Sequence, residues 1–370
     1  MPSSPAETFP EIRESVRRLC ARFPGEYWRA LDRARTYPTD FVLTLTEEGF
    51  LSVLIPEEFG GSGLGLRAAT AVLEEIHRSG SNGGACHAQM YTMGTILRHG
   101  STAQKQKYLP KIASGELRLQ AFGVTEPTSG TDTTRIRTFA KRDGDSYIVN
   151  GQKIWISRAE HSDLMVLLVR TASREDAKKP TDGMSVLLVD LRAAVGHGLT
   201  IRPIRTMINH ATTELFFDDL AVPAENLIGE EGQGFRYIID GMNAERILIA
   251  SECIGDGRFF IDRATAYAKD RSVFGRAIGE NQAIQFPIAR AYVLVTAAAE
   301  WWRRRPRCST RAFPAAPKPI WQSCSPRKRR GSRPTCASRP MAASALRKSS
   351  TSNANSARRG SIRSRRFPRT

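Results

Sequence analysis

The chain has 370 residues, of which 41% are apolar and 25% charged, so it suits two or three packed globular domains rather than one small module or a disordered chain. Its net charge of +18 belongs to residues 301–370, which hold 20 basic and no acidic residues. Because the first 300 residues hold 35 basic and 37 acidic residues, nucleic acid is not expected as a partner.

Neither a membrane segment nor a metal site is expected. No run of about 18 apolar residues exists, and the N-terminus lacks the basic-then-apolar order of a secretory signal. The six cysteines form no CxxC or Cys/His pair at metal-binding spacing, which argues against both zinc and a disulfide framework. These features favour a reducing, cytoplasmic location without membrane association.

The hydrophobic period changes twice along the chain. Residues 1–116 predict an N-terminal helical domain, because segments such as 66–79 place apolar residues three and four positions apart. Residues 117–228 predict a middle β domain of two packed antiparallel sheets, because the apolar runs there are short and rich in β-branched and aromatic residues. Residues 229–302 return to the helical period and predict a C-terminal helical bundle domain. The predicted fold class is α+β.

A hairpin turn is predicted at Asn150-Gly151, within the β domain. A two-residue type I′ turn needs positive φ at both positions, and Asn-Gly is the pair that adopts it most readily. The strands that it would join have the sequences YIV and KIWI.

Residues 303–370 predict a disordered, Arg-rich tail. Residues 301–370 contain only five Leu, Ile, Val or Phe in total, too few to offset the conformational entropy of an ordered chain. Abundant Arg, Ala, Pro and Ser are typical of an out-of-frame translation of a GC-rich gene, so the C-terminal helical domain is expected to be truncated. The alternative is a basic tail that binds nucleic acid or an anionic surface, but the tail lacks RGG repeats, regular aromatics and a helical pattern.

Two strings carry the most specific chemical signal: AFGVTEPTSGTD at 121–132 and NGQKIWIS at 150–157. With LIPEEFGGSG before them and RSVFGRAIGENQAIQF after them, they resemble the acyl-CoA dehydrogenase family over about residues 10–300. The resemblance implies an enzyme that binds FAD, with the TEPxxGxD turn and the W-I-[ST] strand around the flavin. The alternative is an ordinary surface loop and a core tryptophan.

A flavin needs hydrogen-bond donors at N1, O2, N5 and O4, because its reduction adds electron density there. Backbone N–H groups and hydroxyls in the two strings can supply them, Trp155 offers an aromatic surface, and Gly130 with Thr131 forms a small-residue turn that a pyrophosphate can approach. The FAD-binding residues implied by the resemblance in this part of the chain are Phe122, Val124, Thr125, Gly130, Thr131, Trp155, Ile156 and Ser157.

Three further residues match positions that in relatives reach the FAD of a neighbouring subunit. They are Arg271, Phe274 and Gln282. An arginine suits a pyrophosphate because it stays charged and presents a planar set of donors. The match implies a homodimer or homotetramer, whereas Arg271 taken alone could be a solvated residue beside a helix start.

The reaction of this family needs a base for the α-proton of an acyl-CoA thioester, and a carboxylate in an apolar pocket is suited to that task. In some branches the base lies on the helix after the β domain, directly before an arginine, and Glu245-Arg246 occupies that position. Glu245 is therefore the predicted catalytic base. Thr131, Asn243 and Arg246 are predicted to contact the substrate. The alternatives are a surface ion pair at Glu245 and a base in the missing C-terminal segment.

The predicted function is FAD-dependent α,β-dehydrogenation of an acyl-CoA to the trans-2-enoyl-CoA, as in fatty acid β-oxidation. The resemblance implies that electrons pass to electron-transfer flavoprotein. One alternative is an acyl-CoA oxidase, which would pass electrons to oxygen. The other is a catalytically dead fragment or a basic-tail binder. His87, His99 and His210 show no partner pattern and are expected to be structural or solvated.

Overall fold

The structure is a computed structural model that describes residues 8–175 and 177–304. The described residues form two compact units, residues 8–267 and residues 268–304. The predicted tail at 303–370 lies outside the described residues, apart from Arg303 and Arg304 at the end of the last helix.

The first part of the larger unit is helical, as predicted. Buried apolar residues of four of its helices share one core, which explains their spacing of three and four positions. Helix α6 is delimited by local signals: Ser101 and Gln104 form a capping box at its start, and Gly115 ends it in the left-handed conformation. The helices are α1 Pro10–Ala21, α2 Gly25–Ala34, α3 Thr39–Glu47, α4 Leu66–Arg78, α5 Gly84–His99 and α6 Thr102–Ser114.

The next part is the predicted β domain. Its strands run in the order β6-β7-β3-β2-β4-β5-β8, and β1 pairs with β4 in parallel. The short helix α7, Leu191–Ala194, follows β5. The strands are β1 Leu119–Gly123, β2 Phe139–Asp143, β3 Ser146–Ser157, β4 Leu164–Arg170, β5 Met184–Asp190, β6 Leu199–Pro203, β7 Thr212–Pro223 and β8 Leu227–Ile228.

The sheet consists of two halves that pack against each other. Strands β2, β3, β6 and β7 form the first half, and strands β1, β4, β5 and β8 form the second. The single residue pair Phe139–Arg170 joins β2 to β4. Side chains from both halves, such as Val149 and Leu167, share one buried core. The two packed sheets that were predicted are thus two halves of one continuous hydrogen-bonded sheet.

The predicted hairpin turn at Asn150-Gly151 is wrong. Strand β3 runs straight through these residues, and the turn lies at Gly144 and Asp145, between β2 and β3. The Asn150 side chain donates to Asp219 Oδ1 over 2.7 Å and accepts from the Asp219 N–H over 2.9 Å. Gly151 lies in a bulge with φ 143°, where an added Cβ would be 2.7 Å from Thr138 Cα. The Asn-Gly pair serves a bulge here, not a turn.

Helix α8, Gly234–Asp270, closes the cores of the helices and of the sheet. It starts in close contact with β5, because a Cβ at Gly234 would lie 2.6 Å from the β5 backbone. Ile238 packs into the core that β4 and β5 share with α5 and α6, whereas Ala244 and Leu248 pack into the core of the N-terminal helices. This packing places the middle of α8 beside α5.

The smaller unit contains a hairpin and a helix. Strands β9, Ser272–Val273, and β10, Arg276–Ala277, are antiparallel, and helix α9 spans Gln282–Arg304. Phe274 and Gly275 between the strands have φ values of 54° and 77°, as a type I′ turn requires.

Two absences apply to the described part of the chain. No helix within residues 8–175 and 177–304 combines the length and apolar character needed to cross a membrane. Over the same residues, no group of three His, Cys, Asp or Glu side chains is arranged to hold a metal ion.

His77 of α4 links that helix to α8, since its Nδ1 lies 2.9 Å from Asp256 Oδ1. Burial alone would lower the pKa of His77, but Asp256 and Glu252 outweigh burial and raise the pKa to about 9. The pKa in the unfolded chain is about 6.5. The stabilisation is therefore complete below about pH 6.5 and is lost as the pH rises through 9.

We expect His77→Gln to lower the free energy of unfolding by about 2 kcal/mol below about pH 6.5, because a hydrogen bond between charged groups is lost. The deficit should shrink as the pH rises past 9. Denaturant unfolding of both chains over this pH range measures the difference. His197→Gln is the control, because His197 is exposed and has no side-chain bond among the described residues. A deficit that is independent of pH would contradict the assignment.

Candidate active site

The turn that follows β1 is attached to β3. The Ile154 N–H donates to the Thr125 carbonyl over 2.9 Å. Lys153 Nζ donates to the Val124 carbonyl over 3.1 Å and to Glu126 Oε1 over 2.8 Å. The two strings that the sequence singled out therefore lie side by side, one on each half of the sheet.

The Lys153–Glu126 pair is buried, and its members keep their charges at neutral pH. Glu126 also accepts from Thr138 Oγ1 over 2.6 Å and from the Arg137 N–H over 2.7 Å. Burial alone would raise the pKa of Glu126, but Lys153 and these hydrogen bonds lower it. Burial lowers the pKa of Lys153 and Glu126 partly offsets that effect, so the pKa is about 8 and the lysine stays charged at neutral pH. This pair fixes the base of the turn.

A β-bulge in β3 turns Trp155 outward. The register of β3 against β7 shifts between Lys153 and Ile156, and Trp155 has a φ of 62°. Its side chain is 57% exposed, whereas that of Ile156 is buried. Ser157 Oγ accepts a hydrogen bond from Asn209 Nδ2 over 2.8 Å, which leaves its O–H free to donate. Bulges commonly re-aim a side chain at a functional site, and here the bulge exposes an aromatic surface.

The later part of the turn reverses the chain tightly and is then exposed to solvent. Glu126 and Ser129 exchange backbone hydrogen bonds of 3.1 and 3.0 Å, so the chain reverses tightly. Gly130 and Thr131 then lie exposed, and a Cβ at Gly130 would have no atom within 4 Å. The open space beside Gly130 leaves room for a ligand.

A groove of about 510 Å³ is lined by residues 135–139, which follow this turn in the sequence, and by residues 170–175. Arg135, Arg137 and Arg174 line it with exposed side chains. Arg170 also lines it, but its guanidinium donates to backbone carbonyls, including that of Thr134 over 2.7 Å. Glu175 also lines the groove, but the three exposed guanidinium groups outnumber its carboxylate and make the groove attractive to phosphate. No sequence motif pointed to this cluster, because its arginines come from two separate loops.

Glu245 on α8 faces one side of α5. Its Oε1 lies 3.9 Å from His87 Nε2, and its side chain is 28% exposed. Next along that side, the ring of Tyr91 packs edge-on against Phe122 of β1, with centroids 5.2 Å apart. The predicted base and the predicted flavin strand thus lie along one face of α5. Tyr91 and His87, which sequence reasoning did not assign, connect them.

Three histidines were expected to be structural or solvated: His87, His99 and His210. In the structure each of them lies beside a carboxylate. His87 Nδ1 is 2.9 Å from Glu252 Oε1, His99 Nε2 is 3.2 Å from Asp240 Oδ2, and His210 Nε2 is 2.8 Å from Asp32 Oδ1. Each partner lies far away in the sequence, so no local pattern could reveal it.

Asn243 and Arg246 lie on the exposed side of α8 and contact each other, with Arg246 Nη1 donating to Asn243 Oδ1 over 2.9 Å. Arg271, Phe274 and Gln282 lie in the smaller unit, where all three are exposed.

The groups around the turn fit the FAD that the resemblance implies. The Thr125 N–H and the Ser157 hydroxyl donate to no other group among the described residues. Trp155 offers an exposed ring, and the space beside Gly130 is open. Val124 and Ile156 have buried side chains, so only their backbone groups are available to a ligand.

Family models match three consecutive parts of the chain. They are described as the acyl-CoA dehydrogenase N-terminal domain, residues 6–116, the middle domain, residues 121–220, and the C-terminal domain, residues 232–307.

Individual relatives agree with these matches. The chain is 34% identical over 291 residues to cyclohex-1-ene-1-carbonyl-CoA dehydrogenase of Syntrophus aciditrophicus, covering 78% of this chain and 69% of that protein. It is 34% identical over 296 residues to glutaryl-CoA dehydrogenase of Desulfococcus multivorans, covering 78% and 73%. A solved structure described as the electron transferring flavoprotein of Acidaminococcus fermentans has a TM-score of 0.76 at 29% identity, covering 85% and 82%.

Proposed function

This chain belongs to the acyl-CoA dehydrogenase family of FAD-dependent oxidoreductases, and from that premise we propose that it oxidises an acyl-CoA thioester to the trans-2-enoyl-CoA. The acyl group would lie between α5 and α8. FAD, when bound, supplies the acceptor for the hydride that leaves the β-carbon.

The position of Glu245 carries the proposal. Its carboxylate lies on the side of α5 that also holds Tyr91, which packs against Phe122 at the end of β1. His87 Nε2 beside it is buried and has no hydrogen-bond partner among the described residues. In this arrangement Glu245 accepts the α-proton of the thioester at its carboxylate oxygen. A general base must first lie within hydrogen-bond reach of the proton that it accepts, and only then does its pKa matter.

The remaining site residues would bind and orient. The Thr125 N–H and the Ser157 hydroxyl would donate to the flavin, Trp155 would pack against it, and the turn at Gly130 and Thr131 would approach its pyrophosphate. Asn243 and Arg246, together with Thr131, would contact the substrate. The groove lined by Arg135, Arg137 and Arg174 supports binding of the phosphates of CoA.

The assembly and the electron acceptor rest on the family resemblance. Arg271, Phe274 and Gln282 would reach the FAD of a neighbouring subunit in a homodimer or homotetramer. The full exposure of the Phe274 ring, which is unusual for a phenylalanine, supports a partner at this hairpin. Electrons would pass to electron-transfer flavoprotein.

The proposed domains are residues 1–116, 117–228 and 229–302. The free thiols Cys20, Cys86 and Cys253 support a cytoplasmic location.

Anaerobic mixing of the FAD-loaded chain with butyryl-CoA tests the proposal. We expect the flavin absorbance to bleach, because reduction of the flavin accompanies oxidation of the thioester. Re-oxidation on admitting air at a rate that supports turnover would identify an oxidase instead. A chain that binds no FAD, or that binds FAD and never bleaches with any acyl-CoA, would be the catalytically dead fragment.

A further inference from the structure

Arg158, directly after Ser157, has an unusual backbone. Its φ and ψ are 62° and 23°, in the left-handed region that few residues other than glycine, asparagine and aspartate adopt. The backbone is held there from both sides: the Arg158 N–H donates to the Ala211 carbonyl over 2.6 Å, and Ser162 Oγ donates to the Arg158 carbonyl over 2.7 Å. The fold therefore fixes the direction in which this side chain leaves the backbone.

The side chain of Arg158 reaches the first residue of α5. A Cβ at Gly84 would lie 2.1 Å from Arg158 Nη2 and 3.2 Å from Cζ. The guanidinium therefore occupies the space that any other residue at position 84 would need. It lies against the backbone of α5, at the helix end whose partial charge is also positive.

No carboxylate pairs with this guanidinium among the described residues, and its side chain makes no hydrogen bond to them. The groups that act electrostatically on it are the hydroxyls of Tyr37 and Tyr91 and the carboxylate of Glu252. Glu252 already lies 2.9 Å from His87 Nδ1. Burial lowers the pKa of Arg158 below its usual value, but an arginine keeps its charge at neutral pH. A half-buried cation without a counter-ion is costly unless a ligand pairs with it.

Arg158 lies on the same side of α5 as the predicted base. Gly84, His87 and Tyr91 are separated by three and four positions, so they share one face of the helix. Arg158 contacts this face at Gly84, and Glu245 contacts it at His87. The two contacts are one helical turn apart, about 4.5 Å along the axis. This short spacing along α5 favours a short acyl chain between the two groups.

We propose that Arg158 binds a carboxylate at the far end of the acyl group, so that the preferred substrates are short acyl-CoA thioesters with an ω-carboxylate. This inference rests on the proposed function, because it takes the acyl group to lie between α5 and α8. The planar guanidinium fork matches a carboxylate with two parallel hydrogen bonds, and the bound anion supplies the counter-ion that the protein lacks. Arg158 thus determines specificity and takes no part in the proton transfer.

Calorimetric titration of the FAD-loaded chain with glutaryl-CoA and with pentanoyl-CoA tests the inference. The two probes have acyl groups of equal length and differ in the terminal carboxylate. We expect glutaryl-CoA to bind about 10- to 100-fold more tightly, as a hydrogen-bonded charge pair predicts. Arg158→Met should abolish the difference while leaving pentanoyl-CoA affinity unchanged, and Arg158→Lys should retain part of it. Arg192→Met, on α7, is the control and should keep the full preference.

Gly84→Ala provides a second variant that keeps the arginine. The added methyl group displaces the flexible end of Arg158 and not the backbone, so the fold should persist while the preference for glutaryl-CoA falls. Equal affinities of the parental chain for both thioesters would overturn the inference and leave the proposed function intact. A loss of both affinities in Arg158→Met would also overturn it. Binding of neither thioester to the parental chain would overturn the proposed function as well.

Discussion

Replacing Glu245 by Gln is expected to slow bleaching of the flavin by butyryl-CoA by about 10²- to 10⁴-fold, the range that general bases contribute. The amide is close to the carboxylate in size, so FAD content and thioester affinity should stay near the parental values. What it loses is basicity, because a neutral amide is a far weaker acceptor for the α-proton. Stopped-flow measurement of the reductive half-reaction under anaerobic conditions isolates this step.

The control for Glu245→Gln is Asp262→Asn, which removes an exposed carboxylate from the same helix. It should bleach at the parental rate. Bleaching of the Glu245→Gln chain at that same rate would exclude Glu245 as the base and would place the base outside α8. A lower FAD content in the variant would instead indicate that Glu245 supports the structure of the site.

Replacing Lys153 by Met is expected to destabilise the larger unit by about 3–5 kcal/mol, because it leaves the Glu126 carboxylate buried without its counter-ion. The variant should also bind FAD more weakly, since Lys153 holds both Glu126 and the Val124 carbonyl at the base of the turn. Urea unfolding gives the loss of stability, and titration of the apo chain with FAD gives the loss of affinity.

The chain offers a matched control for Lys153→Met in an exposed pair of nearly the same length. Lys107 Nζ lies 2.9 Å from Glu225 Oε1, with side chains 55% and 69% exposed. Lys107→Met should cost less than about 1 kcal/mol, as is usual for surface pairs. In the double variant Lys153→Met/Glu126→Gln the buried charge is absent, so part of the lost stability should return. Equal losses for the two lysines would contradict the role given to the buried pair.

The sequence predicted the fold class because the hydrophobic period reports burial directly. The helices and strands on either side of residues 114–119 follow the change from a period of three and four to short β-rich runs. The Asn-Gly signal failed because it reports only a local backbone preference, and the side-chain pairing of Asn150 with Asp219 overrides that preference. Local turn propensity is decided by contacts from distant strands.

Only those residues of the candidate site that lie in short contiguous motifs could be predicted from the sequence. The turn around Thr125 and the strand around Trp155 are local motifs, so they could be found from the residues alone. Lys153, His87 and Arg158 could not, because a buried lysine, a paired histidine and an arginine without a counter-ion are defined by what lies opposite them. Each of these neighbours comes from an element far away in the sequence.

The division of the sheet into two halves has a consequence for the order in which the protein assembles. The turn at Val124–Asp132 extends from the half that contains β1, whereas Trp155 and Ser157 belong to the half that contains β3. Their main connections are the Ile154–Thr125 hydrogen bond and the contacts of Lys153, which form only when the halves dock. A nascent chain in which only one half of the sheet has formed would have only part of the proposed FAD site in place. FAD can therefore stabilise the docked domain but cannot template its earliest folding steps.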